Sequence, residues 1–293
     1  MTKMKTLPAL TSKQVIASFR ERPRDSHKGD FGTIAVIGGA SGMVGAPLMA
    51  GRAALKLGAG CVHVGLLAEN APVVDLMQPE LMLHSANDFL HSSPFALSLS
   101  KGNSVIAIGC GLGRSLAAQK LLHDAVHSPA ALVLDADALN LLAQRPDLGT
   151  VVRARKNATV LTPHPGEAAR LLGCKIEEVQ ADRVAAVQQL AQKFGGSVVL
   201  KGADSLVATS DGKLYVNKTG NPGMSAAGMG DVLTGMVAAF LAQGMSADDA
   251  LLLAVYLHGA AGDELAKQQA TIGMSATEVT EWARWLLNQW IEK

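Results

Sequence analysis

A chain of 293 residues is long enough for one large α/β domain or two small ones. Hydrophobic residues make up 48% and charged residues 17%, which is enough apolar material for a substantial core. The net charge is +1 with no basic block, which argues against a nucleic-acid surface. Cys61, Cys110 and Cys174 lie far apart, and none has a Cys or His neighbour at zinc-ligand spacing, so they read as reduced, packed thiols. Residues Met1 to Ser12 carry no signal-peptide pattern. The richest apolar run, Ala238 to Leu257, is broken by Gln243-Gly244 and Asp248-Asp249 before it could span a bilayer. A soluble, cytoplasmic protein with no membrane or nucleic-acid partner is expected.

Residues 1–25 read as an N-terminal extension, a loose tail with a short helix from Ser12 to Glu21 capped by Ser12 and ended by Arg22-Pro23. Residues 26–293 read as the main domain. A buried strand, Thr33 to Ile37, runs into the glycine-rich turn Gly38-Gly39-Ala40-Ser41-Gly42-Met43-Val44-Gly45-Ala46-Pro47, and a helix follows to Leu57. That turn lacks the G-x-G-x-x-G spacing of a dinucleotide fold and the lysine and hydroxyl of a P-loop. Two readings stay open, amides brought to a ligand or close strand–helix packing. Val62 to Leu67 is a second strand, and Ala71 to Met77 and Asp88 to Ser100 read as helical. Ser104 to Ile108 is a third strand, ending in Gly109-Cys110-Gly111-Leu112-Gly113-Arg114 before a helix from Leu116 to Val126. Glycine-rich turns at the carboxyl ends of strands sit where open α/β sheets bind ligands.

The strand Leu132 to Leu134 delivers Asp135-Ala136-Asp137 to the same edge. Asp137 reads as the cap of the next helix, and Asp135 is the better functional carboxylate, one able to hold Mg²⁺ through water. Thr159 to Leu161 leads into Thr162-Pro163-His164-Pro165-Gly166-Glu167, where two prolines fix the backbone around His164. A structural histidine and a functional one both remain open. Helices Gly166 to Leu172 and Lys175 to Lys193 follow, with Glu177, Glu178 and Arg183 read as solvated. The strand Ser197 to Leu200 ends in Lys201-Gly202-Ala203-Asp204-Ser205. Leu206 to Thr209 and Lys213 to Asn217 form a hairpin about Ser210-Asp211-Gly212. The tail is helical from Met236 to Gln243, Ala247 to Ala266 and Ser275 to Glu292. Met236, Met245, Trp282, Trp285 and Trp290 serve packing or a subunit contact.

The organising stretch is Asn221 to Gly235, a glycine-rich loop that enters an apolar helix predicted from Val232 to Ala242. Amides without partners at a helix start, with the peptide dipoles behind them, favour phosphate oxygens. Gly228 and Gly230 let the backbone come close to a ligand. Asp231 beside such a site would repel an anion unless it takes a proton or holds a metal ion, so it reads as the base of a phosphoryl transfer to a hydroxyl. A helix-start charge that merely complements the dipole is the bland alternative. The alternation of strands and helices gives a single three-layer α/β domain with a mostly parallel sheet.

His27-Lys28-Gly29-Asp30-Phe31-Gly32, Ile37-Gly38-Gly39-Ala40-Ser41 with Gly45-Ala46-Pro47, and Asp135-Ala136-Asp137-Ala138-Leu139-Asn140 follow one another in the chain. Leu161 to Glu167, Val199-Leu200-Lys201-Gly202, Asn221-Pro222-Gly223-Met224 and Gly230-Asp231-Val232-Leu233-Thr234-Gly235 complete the set. In this order they resemble the ADP/ATP-dependent NAD(P)H-hydrate dehydratases, a carbohydrate-kinase-like family, from about Arg24 to the C-terminus. The resemblance implies a ribokinase-like fold, a homotetramer, and repair of hydrated NADH or NADPH at the expense of ADP or ATP with Mg²⁺. The hydrate is the S form, and bacterial members use ADP. It also implies that Ala46, Gly113, His164 and Asp231 contact the hydrated dinucleotide. Lys201, Gly202, Ala203, Asp204, Ser205 and Gly230 would hold the adenine nucleotide, and Asp231, Gly228 and Gly230 would carry the chemistry. Relatives usually read Ala-Thr-Gly-Gly-Thr-Gly-Asp where this chain reads Ser225-Ala226-Ala227-Gly228-Met229-Gly230-Asp231. Met229 replaces a hydroxyl and Ala227 a glycine, but the amides survive, so activity with weaker nucleotide affinity is expected. A kinase of the same fold acting on a vitamin-type alcohol, and a nucleotide-binding sensor without turnover, are the rival readings.

Overall fold

The computed structural model describes residues 7–19, 21–87, 89–92, 95–98 and 102–292. Nine strands form one sheet in the order β3-β2-β1-β4-β5-β6-β7-β8-β9. They are β1 (Thr33–Gly38), β2 (Cys61–Leu66), β3 (Met82–Ser85), β4 (Ser104–Ile108), β5 (Ala131–Leu134), β6 (Thr159–Leu161), β7 (Ser197–Leu200), β8 (Leu206–Ala208) and β9 (Leu214–Val216). All pairings from β3 to β7 are parallel, and the β7-β8-β9 end is antiparallel. The helices are α1 (Ser12–Ile16), α2 (Gly45–Lys56), α3 (Phe89–Ser92), α4 (Leu116–His127), α5 (Ala136–Gln144) and α6 (Pro146–Ala154). They continue as α7 (Pro165–Leu172), α8 (Ile176–Ala181), α9 (Arg183–Phe194), α10 (Met229–Ala242), α11 (Ala247–Gln268) and α12 (Ala276–Ile291).

Parallel strands covered on both faces need apolar residues in both alternating sets. Ile34, Val36, Val105, Ala107 and Val133 face a core shared with α2, α10, α11 and α12. Ala35, Ile37, Ile106, Ile108, Leu132 and Leu134 face the opposite core, closed by α4 to α9. The result is three layers with a mostly parallel centre, as expected. Helix α10 is apolar on every side and buried from Val232 to Ala242, packed on α2 and α11. Among the described residues no helix is long and apolar enough to cross a membrane.

Several local expectations change. The Ala71 to Met77 segment is not helical. Asp75 is 3% exposed, takes both the Nε and Nη2 of Arg52 at 2.6 Å and accepts the Met77 amide at 3.0 Å. That side-chain turn captures the backbone a helix would need. Within Asp88 to Ser100 there is a single α-helical turn, Phe89–Ser92, and a 3₁₀ turn, Ala96–Ser98; Asp88, Ser93, Pro94, Leu99 and Ser100 lie outside the described residues. The long helix from Lys175 breaks at Asp182, whose side chain caps α9 by accepting the Ala185 amide at 3.0 Å. The first helix ends at Ile16, short of Glu21, with Arg20 outside the described residues. The segment around it joins the sheet edge, because the Leu10 amide donates to the Val216 carbonyl at 3.0 Å and the Val216 amide to Pro8 at 3.1 Å. Strand β3 and helix α6 had no counterpart in the sequence reading.

Candidate active site

The strand order reverses at β1 and β4, whose carboxyl ends open a crevice where an open α/β sheet binds ligands. The two glycine-rich turns there are zipped together. The Gly39 amide donates to the Cys110 carbonyl at 3.2 Å and the Ala40 amide to Gly111 at 2.7 Å. Ala46, at the start of α2, lies beside this junction, since a Cβ on Gly111 would meet the Ala46 Cβ at 3.3 Å. Gly113, at φ +71°, donates its amide to Asp137 Oδ2 at 2.8 Å. Asp137 is therefore not the cap expected of it: it lies inside the first turn of α5, behind Asp135 at the N-cap, and holds the β4 turn instead.

Asp135, at the end of β5, is 1% exposed and takes the N-cap position of α5 without bonding the helix amides. Its oxygens go elsewhere: Oδ1 accepts Lys201 Nζ at 2.8 Å and Oδ2 accepts the Thr234 hydroxyl at 2.9 Å. Three elements, β5, β7 and α10, are tied at that carboxylate. Burial works against the Lys201 charge, but Asp135 and Glu167 outweigh it and leave its pKa above the ordinary value. The Lys201 ammonium therefore stays charged.

Helix α10 begins at Met229, earlier than expected, so Gly230 and Asp231 fall in its first turn. Gly228 caps it at φ +88°, a backbone conformation that favours glycine, and a Cβ there would also have to displace the flexible end of Met49. A Cβ on Gly230 would approach Lys201 Nζ to 3.3 Å and Asp135 Oδ2 to 3.7 Å. Glycine keeps the space in front of that pair clear. Asp231 receives a hydrogen bond from the Cys110 thiol, and one ligand atom each of Cys110, Asp135 and Asp231 lie within 4.8 Å of one another. Burial, helped by the Asp135 charge, pushes the Asp231 pKa up to about 6 against the pull of Cys110 and Lys201. The same burial and the two carboxylates raise the Cys110 thiol well above its usual range, so it acts as a donor and not as a nucleophile. Two carboxylates suit a hard cation such as Mg²⁺ and the thiol does not. With both Asp135 oxygens already engaged, the residues fit a water-mediated ion.

Beside this cluster lies a pocket of about 510 Å³, lined by Lys201, Gly202, Ala203, Asp204, Ser205 and Gly230 on one side. All six residues expected to hold the nucleotide therefore share one cavity. Asn217, Thr219, Asn221, Met229 and His258 complete much of its wall. The Lys201 to Ala203 turn is held from behind by Arg183, which donates to the carbonyls of Ala203 at 3.1 Å and Leu200 at 3.2 Å. Arg183 was read as a solvated charge; the structure turns it inward as the clamp of this loop. Met229 fills the core at 7% exposure, which explains an apolar residue beside Gly230.

His164 ends the β6 turn and caps α7. Its Nδ1 accepts the Gly166 amide at 3.0 Å, its own amide donates to Glu167 Oε2 at 2.8 Å, and Nε2 lies 3.1 Å from Glu167 Oε1. The ring is half exposed, so a face remains for a ligand. Cys110, Thr234, Arg183 and His258 were not singled out as site residues by the sequence reading. Only Thr234, one helical turn after Gly230-Asp231, carried a signal that spacing could have found.

A model of the carbohydrate-kinase-like NAD(P)H-hydrate dehydratases matches residues 34–284. The ADP-dependent (S)-NAD(P)H-hydrate dehydratase of Neisseria meningitidis is 45% identical over 278 residues, covering 92% of this chain and 90% of that one. The bifunctional NAD(P)H-hydrate repair enzyme of Escherichia coli is 41% identical over 269 residues, and the match covers 92% of this chain but 50% of that enzyme. The chain thus spans about half the length of the bifunctional relatives. The crystal structure of the ADP/ATP-dependent NAD(P)H-hydrate dehydratase from Bacillus subtilis, co-crystallised with ATP/Mg²⁺, superposes with a TM-score of 0.82 at 28% identity, over 97% of this chain and 99% of that one. Hydroxyethylthiazole kinase from Pyrococcus horikoshii, at 15% identity and a TM-score of 0.64, shares the fold alone. With the ribokinase-like sheet and the Asp231 crevice in place, the chain belongs to the NAD(P)H-hydrate dehydratase family.

Proposed function

We infer that this protein dehydrates the S form of NAD(P)H hydrate to NAD(P)H, using ADP and releasing AMP and phosphate. The observation that carries the reading is Asp231, a desolvated carboxylate with a pKa near 6, in the first turn of α10 between the β1/β4 crevice and the Lys201 pocket. The hydroxyl at nicotinamide C6 is a poor leaving group. Asp231 takes its proton while the oxygen attacks the β-phosphorus of ADP, and the P–O bond to AMP breaks. The ring nitrogen's lone pair then expels phosphate from C6, and loss of the C5 proton restores the double bond. A positioned base contributes about 10²–10⁴ in rate. The exposed first-turn amides of α10 and the Lys201 ammonium steady the moving phosphoryl group. Asp135 and Asp231 would hold Mg²⁺ through water and the phosphates, and the ion would supply neutralisation of phosphate charge.

Ala46, Gly113 and His164 take the hydrated dinucleotide in this proposal, and Lys201 to Ser205 with Gly230 take ADP. The protein acts in the cytoplasm as a homotetramer, as the family resemblance implies. Purified hydrate incubated with ADP and Mg²⁺ tests the function: NAD(P)H absorbance should recover with one AMP per turnover. A stable phosphate ester without absorbance recovery would support a kinase, and ADP binding without AMP formation would support a sensor.

A further inference from the structure

One wall of the Lys201 pocket has no regular secondary structure of its own. Residues 217–221 run from the end of β9 to the 3₁₀ turn Pro222–Met224, and all of them line the cavity. A stretch without its own ladder needs partners elsewhere for its polar groups, and here one face of α11 supplies them. Asn217 Nδ2 donates to the Val255 carbonyl at 3.3 Å, and the Thr219 hydroxyl donates to the Tyr256 carbonyl at 3.0 Å. Farther along the helix, a Cβ on Gly259 would collide with Thr219 and one on Gly262 with Met224, so α11 leaves a bare strip on which the loop lies. Asp263, one turn after Gly259, ends the series. Its Oδ2 accepts the Gly220 amide at 2.8 Å and its Oδ1 accepts Asn221 Nδ2 at 3.1 Å. Asn221 in turn uses its own Oδ1 to accept the Gly223 amide at 3.0 Å, as the cap of the 3₁₀ turn. Both oxygens of one carboxylate are thus spent on two consecutive residues of the wall. Gly220, at φ +106°, has the widest backbone freedom in that wall, and its amide is the one that Asp263 holds.

We propose that Asp263 is a positioning residue for the nucleotide, its carboxylate holding the Gly220–Asn221 wall in the arrangement that receives ADP before ADP arrives. This rests on the adenine-nucleotide reading of the pocket. Asp263 is not among the residues lining the cavity, so it acts on a ligand only through the loop. The anchors at Asn217 and Thr219 come before Gly220 in the chain and cannot take over its amide. A carboxylate acceptor also makes stronger hydrogen bonds than a neutral one. When a binding-competent arrangement is populated only part of the time, affinity falls by that fraction, so a wall docked about a tenth of the time binds about tenfold more weakly. Ala46, Gly113 and His164, the proposed dinucleotide contacts, stand on the turns after β1, β4 and β6, which Asp263 does not hold. The effect is therefore specific to the nucleotide.

Calorimetric titration of the full chain with ADP, joined to steady-state kinetics, tests this. Asp263→Ala should bind ADP about tenfold more weakly and raise the KM for ADP to match, with kcat and the KM for hydrate within about twofold of wild type. Asp263→Asn keeps one acceptor and should fall between the two. Asp248, also on α11, makes a comparable set of bonds to Ser197 and Ser210, none of which lines the pocket. Asp248→Ala should therefore lower Tm and leave ADP affinity unchanged. Wild-type ADP affinity in a folded Asp263→Ala would overturn the proposal. So would an equal loss of affinity in Asp248→Ala, or a change in kcat and the KM for hydrate as large as that for ADP. If neither Asp263 variant folds, hydrogen exchange in the wild type decides: the Gly220 amide should be protected without nucleotide, and unprotected exchange there would overturn the proposal. Wild-type protein that failed to bind ADP at all would instead remove the nucleotide reading beneath it.

Discussion

Asp231→Asn should make the protein more stable and less active at once. The carboxylate sits in the first turn of α10 with its pKa raised from 3.8 to about 6, chiefly by burial. An acid that is weaker in the folded state binds protons more tightly there, so it costs nothing below its unfolded pKa and its full penalty above its folded one. The window is therefore pH 3.8 to about 6, and stability falls as pH rises through it. At about 1.36 kcal/mol per pH unit the span is worth about 3 kcal/mol, which partial exposure trims to about 2 kcal/mol. Asparagine fills the same space without the charge and still accepts the Cys110 thiol. In a chain of 293 residues, about 2 kcal/mol corresponds to a rise in Tm of about 3 °C. Thermal unfolding followed by circular dichroism at pH 8 and pH 5 reads it: the stabilisation should be full at pH 8 and about half at pH 5. Turnover should meanwhile drop by about 10²–10⁴. A variant with unchanged or lower Tm at pH 8 would mean that Asp231 is not held in a desolvated, strained state, and the reasoning from burial to basicity would fail.

Other outcomes follow from the same geometry. In the wild type, kcat/KM should rise with pH through about 6 as Asp231 loses its proton, and a profile flat from pH 5 to 8 would contradict the assignment. Lys201→Met leaves the buried Asp135 carboxylate without its cation, and chemical denaturation should show a loss of about 3 kcal/mol together with weakened ADP binding. Gly230→Ala should fold normally, because its Cβ would be 3.3 Å from the mobile end of Lys201, yet raise the KM for ADP by crowding the phosphate end. His164→Ala removes an N-cap worth about 1 kcal/mol and should raise the KM for the hydrate; a change confined to the KM for ADP would oppose its place in the dinucleotide site.

Much of this was legible in the sequence because short apolar strands followed by glycine-rich turns leave few arrangements other than a covered parallel sheet. Asp135, Lys201, Gly228, Gly230 and Asp231 could be singled out because each stands at a strand end or helix start, and the structure brings those ends together. What could not be read depends on contacts between distant segments. Cys110 looks like a packed thiol until β4 brings it to Asp231, and Arg183 looks solvated until its guanidinium meets the Leu200 and Ala203 carbonyls. Asp75 was placed in a helix because nothing nearby in sequence announces Arg52, which captures it from α2. His258 lies within an apolar helix and carried no signal, since it joins the pocket wall only once α11 packs beside α10.

The central claim is that the substrate hydroxyl is phosphorylated before it leaves, with Asp231 accepting its proton. Hydrate carrying heavy oxygen in the C6 hydroxyl tests this most directly: after turnover with ADP, the released phosphate is analysed by mass spectrometry. The account predicts one heavy oxygen in each phosphate formed. Unlabelled phosphate, with the heavy oxygen appearing in water, would contradict it.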